Sequence, residues 1–186
     1  MRIAVDIDCT LHPFYEDLIE ALASVGVEAD YRSLLFYDSW LEGLTNAQIK
    51  AVADVYHAPE RILRAQPYPG AQAVLNSWVR DGHEIVIVSA RSSALTDVTA
   101  KWLASERLPY HELICRPTHN KVESLPDDVG LVVDDHPNTM VQALMSGRAA
   151  AGIAHPWNSN FQAVHAAVIA DSWDDLRTQI AERGVL

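Results

Sequence analysis

Ile3-Ala4-Val5-Asp6-Ile7-Asp8-Cys9-Thr10-Leu11 is the stretch whose reading decides the fold. An apolar run at residues 3–7 ends in two acids and a hydroxyl, with turn chemistry directly behind it. Runs of this kind recur at residues 85–88 (IVIV), 111–114 (HELI, the weakest) and 131–133 (LVV). Short, continuous, β-branched runs suit strands buried on both faces, as in a parallel sheet. Amphipathic stretches of helical length lie between them. Residues 69–81 open near Pro69 and stop at Asp81-Gly82, and residues 92–106 space Leu95, Val98, Trp102 and Leu103 by three and four. Residues 137–147 run from Pro137 to Gly147, with Met140, Val141, Leu144 and Met145 as the expected buried stripe. A last strand at 166–169 precedes a helix at 173–183. Alternating strands and helices predict an α/β, doubly wound parallel sheet with right-handed crossovers.

The alternation breaks between residues 14 and 66, where the pattern is helical and rich in aromatic residues. Some 50 residues make a marginal core by themselves, so an inserted helical cap is expected there. The organisation predicted is an α/β core of residues 1–13 and 67–186 with a cap of residues 14–66. Tyr15, Tyr31, Phe36, Tyr37, Trp40 and Tyr56 are its aromatics, expected either as the cap's own core or as stacking surfaces for a ring.

The chain has 186 residues, 49% hydrophobic and 21% charged, which is the balance of a globular domain. Its 14 Lys and Arg against 25 Asp and Glu leave a net charge of −11. Such an acid excess disfavours polymeric nucleic acid and anionic lipid as partners. Cys9 and Cys115, far apart and in no metal spacing, fit a reducing compartment. The N-terminus passes straight into a strand pattern without a leader-like segment, so a cytoplasmic location is expected. HExxH, G-x-x-x-x-G-K-[ST] and G-x-G-x-x-G are all missing, which removes the zinc-protease, P-loop and dinucleotide readings.

In open parallel sheets, ligands bind beyond the carboxyl ends of the strands. Asp6, Asp8 and Thr10 follow the first run, Ser89, Ala90 and Arg91 the second, and Asp134 and Asp135 the LVV run, with Lys121 in the loop before it. Asp6 and Asp8, two apart in extended chain, face one side. Four carboxylates at one sheet edge repel, so either some are protonated or a cation sits among them, and Mg²⁺ suits an all-oxygen set. Each residue also has an ordinary reading. Asp6 and Asp8 could cap a turn, Asp134 and Asp135 could be helix-start charges, and Ser89 could be a plain N-cap. Lys121 could be a solvated loop lysine, Arg91 the partner of an acid, and Phe14 a packing residue of the first helix.

These motifs, in this order, resemble the haloacid dehalogenase (HAD) superfamily of aspartate-nucleophile phosphohydrolases. The likeness rests on Asp6-Ile7-Asp8-Cys9-Thr10-Leu11, Ser89, Lys121 and Asp134-Asp135, and it extends over essentially the whole chain. Cys9 departs from it, standing where glycine is usual. Within the superfamily, Asp8 to Phe14, Pro67-Tyr68-Pro69-Gly70-Ala71, Val88-Ser89-Ala90-Arg91 and Pro156-Trp157-Asn158 are similar to the 5′(3′)-deoxyribonucleotidase group. The resemblance implies Asp6 as nucleophile and Asp8 as general acid, then base, with a carboxyl pKa raised by its acidic neighbours. It implies Mg²⁺ held by Asp6, the Asp8 carbonyl and Asp134, and phosphate held by Ser89, Ala90 and Lys121. Asp135, Arg91 and Thr10 would support from behind, and Phe14 would stack a base. A small phosphorylated substrate, a nucleotide by class, is the implied partner; Trp40 or Trp157, if exposed, would mark an interface or lid. A phosphorylated receiver domain is the competing reading, disfavoured by the insertion and by the absence of an acid after the third run, at Cys115-Arg116. A non-catalytic phosphate-binding relative is the other.

Overall fold

The computed structural model describes residues 1–31, 41–118 and 120–186. Six strands, β1 (Arg2–Val5), β2 (Glu84–Ser89), β3 (Glu112–Cys115), β4 (Val129–Val133), β5 (Ala149–Ile153) and β6 (Ala167–Ala170), form one all-parallel sheet in the order β3-β2-β1-β4-β5-β6. The doubly wound α/β architecture expected from the sequence is what the chain adopts. β5 is the strand that periodicity misses. Its AAAGI run has small residues of low strand propensity, and it is a strand because β4 and β6 bracket it. Gly152 in β5 is required by contact: a Cβ there would lie 2.5 Å from the Asp134 carbonyl oxygen.

Helices cover both faces: α4 (Ala71–Arg80), α5 (Thr96–Ser105), α6 (Pro137–Met145) and α7 (Trp173–Glu182). Ile3, Val5, Ile85, Ile87, Leu131 and Val133 point to one side of the sheet, packing with Trp78, Trp102 and Trp173. Ala4, Val86, Val88 and Val132 point to the other, against Met140 and Ala143. This alternation is the period-two pleat made visible. The expected α6 stripe needs correction. Met140 and Ala143 are buried and Leu144 is partly so, but Val141 is 43% and Met145 83% exposed. Three- and four-residue spacing anchored on Met140 selects Ala143 and Leu144, so Val141 and Met145 turn to solvent.

The insertion after β1 supplies α1 (Phe14–Ser24), α2 (Asn46–Tyr56) and α3 (Pro59–Arg64). α1 and α2 pack together around Leu18, Ala21, Leu22 and Val52, a small core of their own. α2 begins with a full capping box between Thr45 and Gln48. α3 sides with the main core: Ile62 and Ala65 join it, and the Trp102 indole N–H donates to the Ala65 carbonyl at 2.8 Å. Phe36, Tyr37, Trp40 and His119 lie outside the described residues.

Candidate active site

β1 and β4 are adjacent, and the connections leave them in opposite directions along the sheet, β1 toward β2 and β4 toward β5. Their carboxyl ends therefore open a crevice at the topological switch point. Asp6 follows β1, with its amide on the Val133 carbonyl at 2.9 Å, and Asp134 follows β4, with its amide on Ala151 at 2.9 Å. Both are fixed as continuations of the ladder. Asp6, Asp134 and Asp135 offer carboxylate oxygens within 4.8 Å of one another, and all three are buried. Lys121, buried between them, donates to Asp6 at 2.8 Å and to Asp134 at 3.0 Å. It is no solvated loop lysine.

Three carboxylates thus face one ammonium. Burial, reinforced by Asp134 and Asp8 and opposed by Lys121, pushes the Asp6 carboxyl up to about 7. Burial, with Asp134 and Asp6, likewise pushes Asp135 far above the carboxylate range. Hard oxygen donors with uncompensated charge are the donor set a divalent cation such as Mg²⁺ takes, so the residues fit that group. The other Asp134 oxygen accepts the His136 amide at 2.8 Å, at the start of α6.

Asp8 stands apart from this cluster. Its carboxylate makes a two-pronged pair with Arg91, Nε at 3.0 Å on one oxygen and Nη2 on the other. Burial alone would raise the Asp8 carboxyl; Arg91 outweighs it, aided by His12 and His57, and the group is held below its usual range. The raised pKa expected for Asp8 is therefore corrected: a guanidinium, rather than other carboxylates, is its near neighbour. Arg91 is itself boxed in by Thr99 Oγ1 at 3.4 Å and by the Trp102 ring. Ser89 is buried, its Oγ accepting the Arg91 amide at 3.2 Å, while Ala90 is exposed at the mouth.

The loop that carries Asp8 folds tightly. The amides of Thr10, Leu11 and His12 all converge on the Ile7 carbonyl, and Cys9 sits at φ 61°, in left-handed space. Glycine accepts that conformation freely; a β-branched residue does not. Burial raises the Cys9 thiol well above its ordinary value, so it is a packing group and not a reactive thiolate. Cys9→Gly is expected to change stability by no more than about 1 kcal/mol, relief of strain offsetting the lost thiol. Cys9→Val should cost about 2 kcal/mol or more. Urea midpoints decide it; a Val variant as stable as wild type would contradict the strain argument.

Behind the cluster lies a supporting layer, of which the sequence reading named Asp135 and Thr10 but not His155. Asp135 accepts the Trp157 indole N–H at 2.9 Å and the Thr10 hydroxyl at 3.4 Å. Trp157 is stacked on His155, 4.6 Å between centroids and 3° from parallel. His155 reaches the Cys9 carbonyl at 2.7 Å and the Tyr31 hydroxyl at 2.8 Å. The chain from Tyr31 to Asp135 ties the insertion to the strand ends. Trp157 is accordingly buried, which corrects its expectation as an exposed interface or lid residue. Trp157→Phe keeps the stack and deletes the N–H. A loss of about 1–3 kcal/mol is expected, as for a buried carboxyl oxygen left without its donor, together with weaker Mg²⁺ binding by calorimetry. Unchanged stability and affinity would contradict the role assigned to it.

No family model matches the chain. The chain is similar over its whole length to a haloacid dehalogenase-like hydrolase from Streptococcus pneumoniae, with a TM-score of 0.69, 14% identity and coverage of 98% of this chain and 97% of that one. The chain carries the haloacid dehalogenase-like fold. A HAD family hydrolase from Deinococcus radiodurans, solved with phosphate and sodium, is similar at a TM-score of 0.66 and 16% identity, covering 100% and 96%. Among curated proteins, a protein of Halalkalibacterium halodurans provisionally named a nucleotidase is 31% identical over 62 residues. That match spans 33% of this chain and only 31% of the relative.

On this HAD-like scaffold, a cleft of about 190 Å³ opens between insertion and core beside the acidic cluster. Asp8, Cys9, Ala90, Arg91 and Trp157 line it from the core, and Phe14, Tyr15, Leu18, Tyr56 and His57 from the insertion. Phe14 packs edge-on to Tyr56 at 4.8 Å, the ordinary role expected of it, and also lines the cleft. His57 and His155 escaped the sequence reading, because scattered histidines carry no periodic or motif signal. Among the described residues, no helix is long and apolar enough to cross a membrane.

Proposed function

We propose that the chain is a Mg²⁺-dependent phosphomonoester hydrolase that works through an aspartyl-phosphate on Asp6, with nucleoside monophosphates as substrates. The observation that carries this reading is the meeting of Asp6, Lys121, Asp134 and Asp135 at the switch point of the sheet. A carboxylate held beside a buried ammonium is an oriented nucleophile facing an anion site. An Asp6 oxygen attacks phosphorus as the bond from phosphorus to the ester oxygen breaks, and the departing alkoxide takes a proton from Asp8. Asp8 then accepts a proton from water, whose oxygen attacks the same phosphorus and frees Asp6. Lys121 and Ser89, with the backbone at Ala90, bear on the transferring phosphoryl oxygens. Asp6, Asp134 and the Asp8 carbonyl would hold Mg²⁺, Asp135 standing behind, and the ion would offset charge on the nucleophile and on the phosphoryl group. Asp8 is paired with Arg91 at rest, so this assignment requires that pair to loosen and Asp8 to take up a proton from solvent as the ester binds.

The nucleotide part of the reading draws on Phe14 at the cleft and on the similarity to the H. halodurans protein. It stands or falls on a panel of nucleoside monophosphates against sugar phosphates with Mg²⁺. Nucleotides are expected to give the higher kcat/KM. Sugar phosphates ahead by an order of magnitude would overturn the substrate class, and no phosphate release from any ester would overturn the hydrolase.

A further inference from the structure

His57 closes the α2 helix and lines the cleft with Asp8 and Arg91, near enough to feel the charge of each. The other polar groups lining the cleft are already engaged. Asp8 and Arg91 hold each other, the Trp157 N–H is on Asp135, the Cys9 thiol meets the Tyr15 amide and the Tyr15 hydroxyl meets Glu16. Tyr56 packs edge-on to both Phe14 and His57, at 4.8 and 4.4 Å. The His57 ring nitrogens, half-buried, have no hydrogen-bond partner among the described residues. An imidazole left open toward a cleft beside a nucleophile is placed for one that arrives with the ligand.

We infer that His57 is a specificity-determining residue: it hydrogen-bonds a polar atom on the alcohol portion of the phosphate ester, while Phe14, Tyr56 and Trp157 take up that alcohol's ring. The inference rests on the phosphomonoesterase reading and deepens it by naming the class of leaving group. At about 190 Å³ the cleft has room for one ring-bearing unit. Apolar walls with one open imidazole select an alcohol that has both a ring and a hydrogen-bonding group. A nucleoside qualifies, whereas a bare aromatic alcohol has the ring alone. A site built to pair with a polar group discriminates against ligands lacking it, because the buried partner is then left unmatched.

The test compares thymidine 5′-monophosphate with phenyl phosphate in wild type, His57→Ala and His57→Gln. In His57→Ala, the ratio of kcat/KM for the nucleotide over phenyl phosphate is expected to fall about tenfold, the size of one neutral hydrogen bond. The fall should be carried by KM rather than kcat, and His57→Gln should regain part of it. A ratio that does not move, or a loss shared equally by both esters through kcat, overturns the role of His57 while leaving the hydrolase intact. Wild type that hydrolyses phenyl phosphate but no nucleotide overturns the nucleotide reading and this inference with it, and wild type that hydrolyses neither overturns the activity itself.

Discussion

Replacing Asp6 with Asn is expected to lower phosphate release from p-nitrophenyl phosphate by roughly 10³-fold or more, the scale seen when a covalent nucleophile is removed. The substitution is nearly isosteric and keeps a partner for Lys121, whose Nζ lies 2.8 Å from the carboxylate, so folding should survive it. The buried position also predicts the sign of any stability change. In metal-free protein the Asp6 carboxyl is pushed up from 3.8 to about 7, mainly by burial. A folded state that binds the proton more tightly than the unfolded chain loses stability as pH rises from about 4 to about 7. Asp6→Asn removes that loss, so the metal-free variant should equal or exceed wild type in melting temperature near pH 7. A variant that folds and retains activity within tenfold would contradict the role of Asp6.

Lys121→Met should have the largest effect on stability. Lys121 is the one cation that any described residue brings into contact with Asp6 and Asp134, and both ion pairs are buried. Breaking a buried pair by removing one partner costs about 3–5 kcal/mol, since the remaining charge is left without compensation. The methionine stem replaces the packing of the lysine stem, so the loss should be electrostatic and should carry two signatures. It should shrink at acidic pH, as the carboxyls protonate, and Mg²⁺ should recover part of it by taking up the same charge. Denaturation curves across pH 4–8, with and without Mg²⁺, measure both. A loss that is independent of pH and of Mg²⁺ would mean that Lys121 is a packing residue.

The parts of this protein that were legible in its sequence are those governed by short-range pattern. β1, β2 and β4 are β-branched runs because both of their faces are covered, and that requirement leaves a continuous apolar signature. Asp6, Asp134 and Asp135 were legible for a related reason: a charge at a strand's carboxyl end has no role in the sheet and therefore stands out. β5 was not legible, because Ala149–Ile153 owes its conformation to the strands on either side, and its glycine to a carbonyl contact from Asp134. Which acid Arg91 would pair with was not legible either. Arg91 lies 83 residues from Asp8, and only the packing of Trp102 and Thr99 aims it there rather than at the acidic cluster. His57, His155 and Trp157 matter through what the fold brings near them, a property that no local spacing encodes.

The proposed covalent step on Asp6 can be trapped. Wild-type protein is mixed with p-nitrophenyl phosphate and Mg²⁺, quenched in acid during turnover, digested and analysed by mass spectrometry. One added phosphoryl group is expected on the peptide containing Asp6, and it should be lost in Asp6→Asn. Steady turnover with no phosphorylated peptide, or with the phosphoryl group on a peptide that does not contain Asp6, would contradict that step.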